Sequence, residues 1–252
     1  MVNTITRTGN KMNDNLDRFD LALSEFQIEL NQKQKNQFLQ FYEILIEWNS
    51  FMNLTTITDF QEVIDKHFVD SLSIVKAIKI DHQKIIDLGT GAGFPGIPLK
   101  IVYPDIKITL VDSLNKRVNF LNHVTEELGL EGIHSIHGRA EDIARMINHR
   151  EQYDICVSRA VANLSSLCEY CLPFVNKNGF FISYKSENIE MEIEEAKFSI
   201  NECGGSLERE ISFLLPNTKY GRNIICIKKV DATNEKYPRK AGLPTKEPLS
   251  KK

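Results

Sequence analysis

The chain is poor in the features that would assign it quickly. It carries five cysteines, one tryptophan and a formal net charge of only −3 over 252 residues, and no hydrophobic run approaches the length needed to span a bilayer. An α-helical membrane protein is therefore not expected, and the total charge does not mark a nucleic-acid binder. Cys156, Cys168, Cys171, Cys203 and Cys226 are odd in number and scattered, which argues against a disulfide framework and for free thiols in a reducing compartment. The Cys168-x-x-Cys171 spacing lies inside an apolar segment, residues 164–175, with no second pair or histidine cluster nearby. Buried core thiols are expected there rather than a metal or redox site. The first fifteen residues are polar and lack the apolar core of a secretory leader, so a cytoplasmic location is expected, with Met12 as an alternative start to Met1. There is no internal repeat and no low-complexity segment.

What the chain does have is Ile85-Ile86-Asp87-Leu88-Gly89-Thr90-Gly91-Ala92-Gly93-Phe94-Pro95-Gly96, a short apolar strand that ends in an acid and enters a glycine-rich turn. Glycines at such a turn adopt positive φ and let a ligand approach the backbone, while the following helix aims its first N–H groups at an anionic group. Gly91-x-Gly93-x-x-Gly96 also fits the dinucleotide fingerprint, a weak pattern by itself. The acid before the first glycine and the two prolines, Pro95 and Pro98, speak against a dehydrogenase, because proline lacks the N–H that would hold a pyrophosphate. The arrangement resembles instead the first motif of the class I S-adenosylmethionine (AdoMet) methyltransferases. The next β-branched run, residues 107–112, ends in Asp112 about 20 residues after the turn, where a carboxylate can accept hydrogen bonds from a ribose. Capping the helix that begins near Leu114 is the other use open to Asp112.

Around this motif the chain divides into a flexible N-terminus (1–15), an N-terminal helical cap (16–80), an AdoMet-binding domain (81–230) and a basic C-terminal tail (231–252). The cap is read from Phe38, Phe41, Tyr42, Leu45 and Trp48 at helical spacing, a turn over residues 48–55, and a second helix starting at a Thr58-x-x-Gln61 capping box. Strands at 84–88, 107–112, 133–137, 153–157 and 179–184 alternate with helices at 96–102, 115–129, 140–148, 163–174 and 188–203. That rhythm predicts a mostly parallel sheet covered on both faces. Two final strand-like runs, 208–215 and 222–230, form a hairpin. The fold class is therefore α/β, a Rossmann-like seven-stranded sheet closed by a terminal antiparallel hairpin. The tail holds six cations, among them Arg239 and Lys240, against three carboxylates.

Five ordered blocks sharpen the assignment: Asp87 to Pro98, Val111-Asp-Ser-Leu-Asn-Lys-Arg117, Arg139-Ala-Glu141, Ser158-Arg-Ala-Val-Ala162 and Tyr237-Pro-Arg-Lys-Ala-Gly242. With Trp48-Asn49, Asn53-Leu54-Thr55 and His67-x-x-Asp70-Ser71, they resemble the small-subunit ribosomal RNA guanine-N7 methyltransferase G family, also called glucose-inhibited division protein B. The resemblance runs from about residue 39 to 249. It implies AdoMet as cofactor, with Gly89 and Phe94 lining its site, Gly91 in the same turn, Ala140 and Glu141 at the adenine end, and Arg159 reaching the pocket. Each has an ordinary alternative: Phe94 as core, Glu141 as a charge favoured by a helix N-terminus, Arg159 as an ion-pair partner. The implied partner is 16S ribosomal RNA or the small ribosomal subunit; a monomer is expected.

The chemistry of the target can be narrowed by what the chain omits. After the fourth strand stands Ser158-Arg159-Ala160, not the Asn/Asp-Pro-Pro-aromatic motif of exocyclic-amine methyltransferases, and no nucleophilic cysteine for pyrimidine C5 is evident. Guanine N7 has an in-plane lone pair and carries no proton, so it needs placement rather than a base. No residue is therefore named as a proton-transfer catalyst. For RNA contact the candidates are Lys185, Arg222, Arg239 and Lys240, with Lys116 and Arg117 as further cations. The tail's alternative is a solvated end. His67 is expected to be a hydrogen-bonded helix histidine.

Overall fold

The computed structural model describes residues 16–159, 161–186 and 189–250; the N-terminal segment 1–15 and the last two lysines lie outside them. Residues 16–24 form α1. Helix α2 (Gln32–Met52) starts at Asn31, whose side chain accepts from Gln34 N–H while the Gln34 side chain accepts from Asn31 N–H, a reciprocal capping box. The helix runs through part of the expected 48–55 turn, to Asn53 with φ 52°. Nothing between Trp48 and Met52 breaks it, and Trp48 packs on Phe120 and His123 at 5.5 and 5.2 Å between ring centres. The second helix is capped one residue later than expected: Asp59, not Thr58, accepts from Glu62 N–H at 3.1 Å, a carboxylate being the better partner for a helix N-terminus. From there α3 (Phe60–Val63) widens into a π-helical stretch (Ile64–Val69), then α4 (Asp70–Leu72) and a 3-10 turn (Ser73–Lys76).

The seven strands are β1 (Lys84–Leu88), β2 (Lys107–Asp112), β3 (Ile133–His137), β4 (Tyr153–Arg159), β5 (Val175–Lys185), β6 (Gly205–Leu214) and β7 (Gly221–Lys229). They stand in the order β3-β2-β1-β4-β5-β7-β6. Pairing is parallel from β3 to β5, and antiparallel only where β7 joins β5 and β6, as the sequence predicts. The connecting helices are α5 (Gly96–Val102), α6 (Asn115–Glu127), α7 (Ala140–Ile143), α8 (Leu164–Cys171) and α9 (Glu190–Glu202). Strand order reverses at β1, with β2 on one side and β4 on the other. In open α/β sheets that crevice at the carboxyl ends is where ligands bind.

Each face of the sheet is buried against its own core. One core joins the N-terminal helices to the sheet through an aromatic stack: Phe19, Phe38, Phe41, Phe68 and Phe94 lie 4.9 to 6.2 Å apart between neighbouring ring centres. The cap thus reaches the glycine turn itself, through Phe41 on Phe94 at 5.3 Å. The other core, under α8 and α9, contains Tyr153, Phe174, Phe181 and four of the five thiols, all buried. Burial raises the pKa values of Cys168 and Cys171 above the usual thiol range, as expected of core cysteines.

Two expectations are corrected at the C-terminal side. The helix expected over 140–148 ends at Ile143 and gives way to turns, from which Arg150 reaches the carbonyls of Thr233, Asn234 and Tyr237. The described part of the 231–252 tail is not a solvated end. It folds back over α8 and forms a short helix, α10 (Leu243–Lys246).

Candidate functional site

At the carboxyl edge of β1 the backbone makes the turn that the glycines predict. Gly89 and Gly91 have φ 69° and 62°, a region that L-residues with a Cβ avoid. A Cβ on Gly89 would also sit 2.5 Å from Val161 Cγ2. The turn is fastened from below by Asp87, whose Oδ2 accepts from Thr90 Oγ1 at 2.7 Å and from Gly96 N–H at 2.8 Å. Asp87 is fully buried and its Oδ1 has no partner among the described residues. Burial pushes its pKa up to about 6, against the pull of those two hydrogen bonds.

Asp112, at the tip of β2, serves the start of α6, one of the two uses that the sequence left open to it. Oδ1 accepts from Leu114 N–H at 2.9 Å, holding the entry to α6, and Oδ2 accepts from Gly91 N–H at 3.0 Å and from Arg117 at 3.3 Å. It also borders a cleft of about 450 Å³. The floor of this cleft is Leu88, Gly89, Val111 and Ser158, and its sides are Ala140, Glu141, Tyr170 and the tail residues Gly242 and Thr245. Glu141, 6% exposed, accepts from Gly242 N–H at 2.8 Å through Oε1. Gly89, Asp112, Ala140 and Glu141 therefore meet around one cavity, with Gly91 bonded to its rim.

Phe94 and Arg159 are placed elsewhere. Phe94 is 5% exposed and stacks on His67 at 4.5 Å, with Arg159 over its ring at 5.1 Å. Neither residue borders the cleft. The Arg159 guanidinium turns toward the N-terminal helices, where it donates to Asp70 at 2.9 Å, to Lys66 O at 3.1 Å and to His67 Nδ1 at 3.3 Å. With Nδ1 accepting, His67 carries its proton on Nε2 and donates to Thr55 Oγ1 at 3.0 Å. Burial, and then the Arg159 charge, lower the His67 pKa to about 3.

Most of the expected RNA-facing cations already hold a carboxylate of the protein itself. Lys185 donates to Glu192 at 2.6 Å and to Ala162 O at 2.8 Å. Arg222 donates through Nε to the same Asp70 at 3.0 Å. Arg239 grips the fully buried Glu169 through its backbone N–H, Nε and Nη2, at 2.6 to 3.0 Å. Only Lys240 of the four is exposed. Sequence reasoning missed Asp70 and Glu169 as charge partners: they lie 152 and 70 residues from Arg222 and Arg239, and no local pattern announces such pairs. It also missed Tyr170, Gly242 and Thr245 as parts of the cleft. Among the described residues no helix is long and apolar enough to cross a membrane, and no group of three His, Cys, Asp or Glu side chains is arranged to hold a metal.

Comparison with known proteins agrees with this fold. The GidB family model, described as rRNA small subunit methyltransferase G, matches residues 34–217. The ribosomal RNA small subunit methyltransferase G of Lachnoclostridium phytofermentans is 53% identical over 242 residues, covering 96% of this chain and 100% of that protein. That of Lactococcus lactis is 47% identical over 235 residues, covering 92% and 98%. Among solved structures, M. jannaschii TYW2 in complex with AdoMet aligns with TM-score 0.54 at 15% identity over 70% of this chain and 80% of that one. A methyltransferase from Pyrococcus furiosus aligns with TM-score 0.53 at 13% identity over 80% and 100%; at such identities the likeness speaks for the fold. By the family match and the near-complete coverage of its relatives, the chain belongs to the rRNA small subunit methyltransferase G family.

Proposed function

We propose that the protein transfers a methyl group from S-adenosylmethionine to N7 of a guanine in 16S ribosomal RNA. The observation that carries this reading is the cleft at the β1 switch point, where two carboxylates face one cavity of about 450 Å³ beside a glycine turn. The donor set suits the cofactor. Adenosine hydroxyls and the cationic amino-acid end call for acceptors, and an ionised carboxylate has about four lone-pair sites, so Asp112 and Glu141 keep acceptor capacity beyond their backbone partners. The volume also falls in the range of small-molecule sites. Gly89, Gly91, Asp112, Ala140 and Glu141 would hold the cofactor, and S-adenosylmethionine supplies an activated methyl group on a sulfonium.

The side chains around the cleft favour a nucleophile that needs no deprotonation. Both carboxylates are tied to backbone N–H groups. Burial raises the Tyr170 hydroxyl and Cys171 thiol, so each keeps its proton at neutral pH. A protonated Cys171 is a poor nucleophile for attack on a pyrimidine, and a protonated Tyr170 is no base for an exocyclic amine. Guanine N7 needs only alignment of its lone pair with the methyl carbon. For the RNA, Arg159 and Arg222 share the single carboxylate of Asp70, so this trio keeps one excess positive charge for a phosphate. Lys240, Lys116 and Arg117 extend the cationic surface. Mapping N7-methylguanine in ribosomal RNA from strains with and without this gene tests the reading: one guanine should lose its methyl group in the strain without it. Unchanged methylation at every guanine would refute it.

A further inference from the structure

The tail that reads as a basic arm in sequence is bonded to the body along its length. Arg150 donates to the carbonyls of Thr233, Asn234 and Tyr237 at 2.8, 3.2 and 3.0 Å. Ser166 Oγ donates to Pro244 O and Ser165 Oγ to Leu249 O, each at 2.8 Å, and Tyr170 meets the Thr245 hydroxyl at 2.7 Å. Arg239 is the anchor. It holds both oxygens of a fully buried carboxylate on α8, and its Nη2 also donates to Glu247 O at 2.7 Å, which closes the segment 239–247 into a loop.

Gly242 sits at the apex of that loop with φ 80°, and nothing lies within 4 Å of where a Cβ would stand. This turn brings its N–H onto Glu141 Oε1, and both Gly242 and Thr245 border the cleft. With Oε1 fixed by the tail, Oε2 of Glu141 has no protein partner among the described residues. We infer that residues 239–247 are a wall of the cofactor cleft, and that Arg239 is a positioning residue which orients Glu141 through Gly242; this rests on the reading of the cleft as the S-adenosylmethionine site. Loss of the Arg239 guanidinium leaves Glu169 as a buried, unpaired charge, which drives the loop off α8 and takes the Gly242 N–H away from Glu141. A tail that served RNA through charge would behave the opposite way, since neutralising either Arg239 or its exposed neighbour Lys240 would then weaken RNA and leave the cofactor alone.

Titration calorimetry with S-adenosylhomocysteine on the wild type, Arg239→Ala, Arg239→Lys and Lys240→Ala separates the two, together with KM for S-adenosylmethionine and for the small ribosomal subunit. Arg239→Ala is expected to weaken cofactor affinity tenfold or more and to raise KM for S-adenosylmethionine alike, with any change in KM for the ribosomal substrate no larger than that of Lys240→Ala. Arg239→Lys, which restores charge but not the forked geometry, should fall between, and Lys240→Ala should match the wild type in cofactor affinity. A folded Arg239→Ala protein with wild-type cofactor affinity would overturn the inference. Should that variant not fold, hydrogen exchange on the wild type decides: S-adenosylhomocysteine should slow exchange over residues 239–247, and unchanged exchange there overturns the inference while leaving the cofactor reading intact. A wild-type protein that binds no S-adenosylhomocysteine would overturn the cofactor reading, and the inference with it.

Discussion

The carboxyl edge of the sheet carries two sites of different construction on either side of β1. Toward β2 and β3 the site is made of backbone: a glycine turn whose N–H groups are held by Asp87 and Asp112, acids 9 and 21 residues from the groups they bind. Toward β4, β5 and β7 it is made of long side chains, with Arg159 and Arg222 converging on Asp70 from 89 and 152 residues away. The first has a turn set locally, a wall lent by the tail and acceptors left for a ligand. The second is a charge cluster whose members satisfy one another and present only their surplus. The two should therefore fail differently when altered.

The largest effect is expected on the backbone side. Gly89→Val places a branched side chain where φ is positive and where even a Cβ meets Val161 at 2.5 Å, so calorimetry should detect no S-adenosylmethionine binding, with circular dichroism close to wild type. Retained affinity would mean that the turn does not shape the pocket. On the other side, Asp70→Ala removes the one carboxylate under two guanidinium groups whose side chains are 13% and 20% exposed. The expected loss is about 3 kcal/mol in urea unfolding, with cofactor affinity in the folded fraction little changed. Equal damage to cofactor binding would erase the distinction between the two sites.

Asp112→Ala should be milder than Gly89→Val, weakening S-adenosylmethionine by about 1–3 kcal/mol through loss of charged hydrogen bonds. The pH dependence of stability separates the sites again. The folded pKa of Asp87 is raised from 3.8 to about 6, so its contribution is greatest at low pH and falls as pH rises through that interval. That of His67 is lowered from 6.5 to about 3; its contribution is present above pH 6.5 and is lost as pH falls toward 3. Urea unfolding between pH 4 and 7.5 should show a steeper rise of stability with pH in Asp87→Asn and a flatter one in His67→Asn. Curves parallel to wild type in both variants would contradict these assignments. The smallest effect belongs to Lys240→Ala, which should reduce the salt dependence of RNA affinity by about 0.7 in a log–log plot if one single-strand phosphate contact is lost.

The same contrast explains what was legible in the sequence. Alternating strands and helices and the terminal hairpin follow from hydrophobic period and turn residues, and the observed topology matches them, while the reversal at β1 is seen only in the fold. Gly89, Asp112, Ala140 and Glu141 each lie at a strand end or the turn after it, so their convergence follows from the sheet alone. The positions of Lys185, Arg222 and Arg239 were legible, but their partners were not. An unpaired arginine and one bound to Glu169 look identical in sequence, and only the fold shows that a cation in a basic stretch is already engaged. The core packing of Phe94 rests on contacts of the same long-range kind. The aromatic stack that draws it into the core comes from α1, α2 and the π-helical segment, all distant in sequence.

Incubating the purified protein with isotopically labelled S-adenosylmethionine and small ribosomal subunits from a strain lacking the gene, then identifying the labelled nucleoside by mass spectrometry, tests the central assignment most directly. Label is expected in N7-methylguanosine, present with wild-type protein and absent with Gly89→Val. Label on another atom or another base, or none with the wild type, would contradict it.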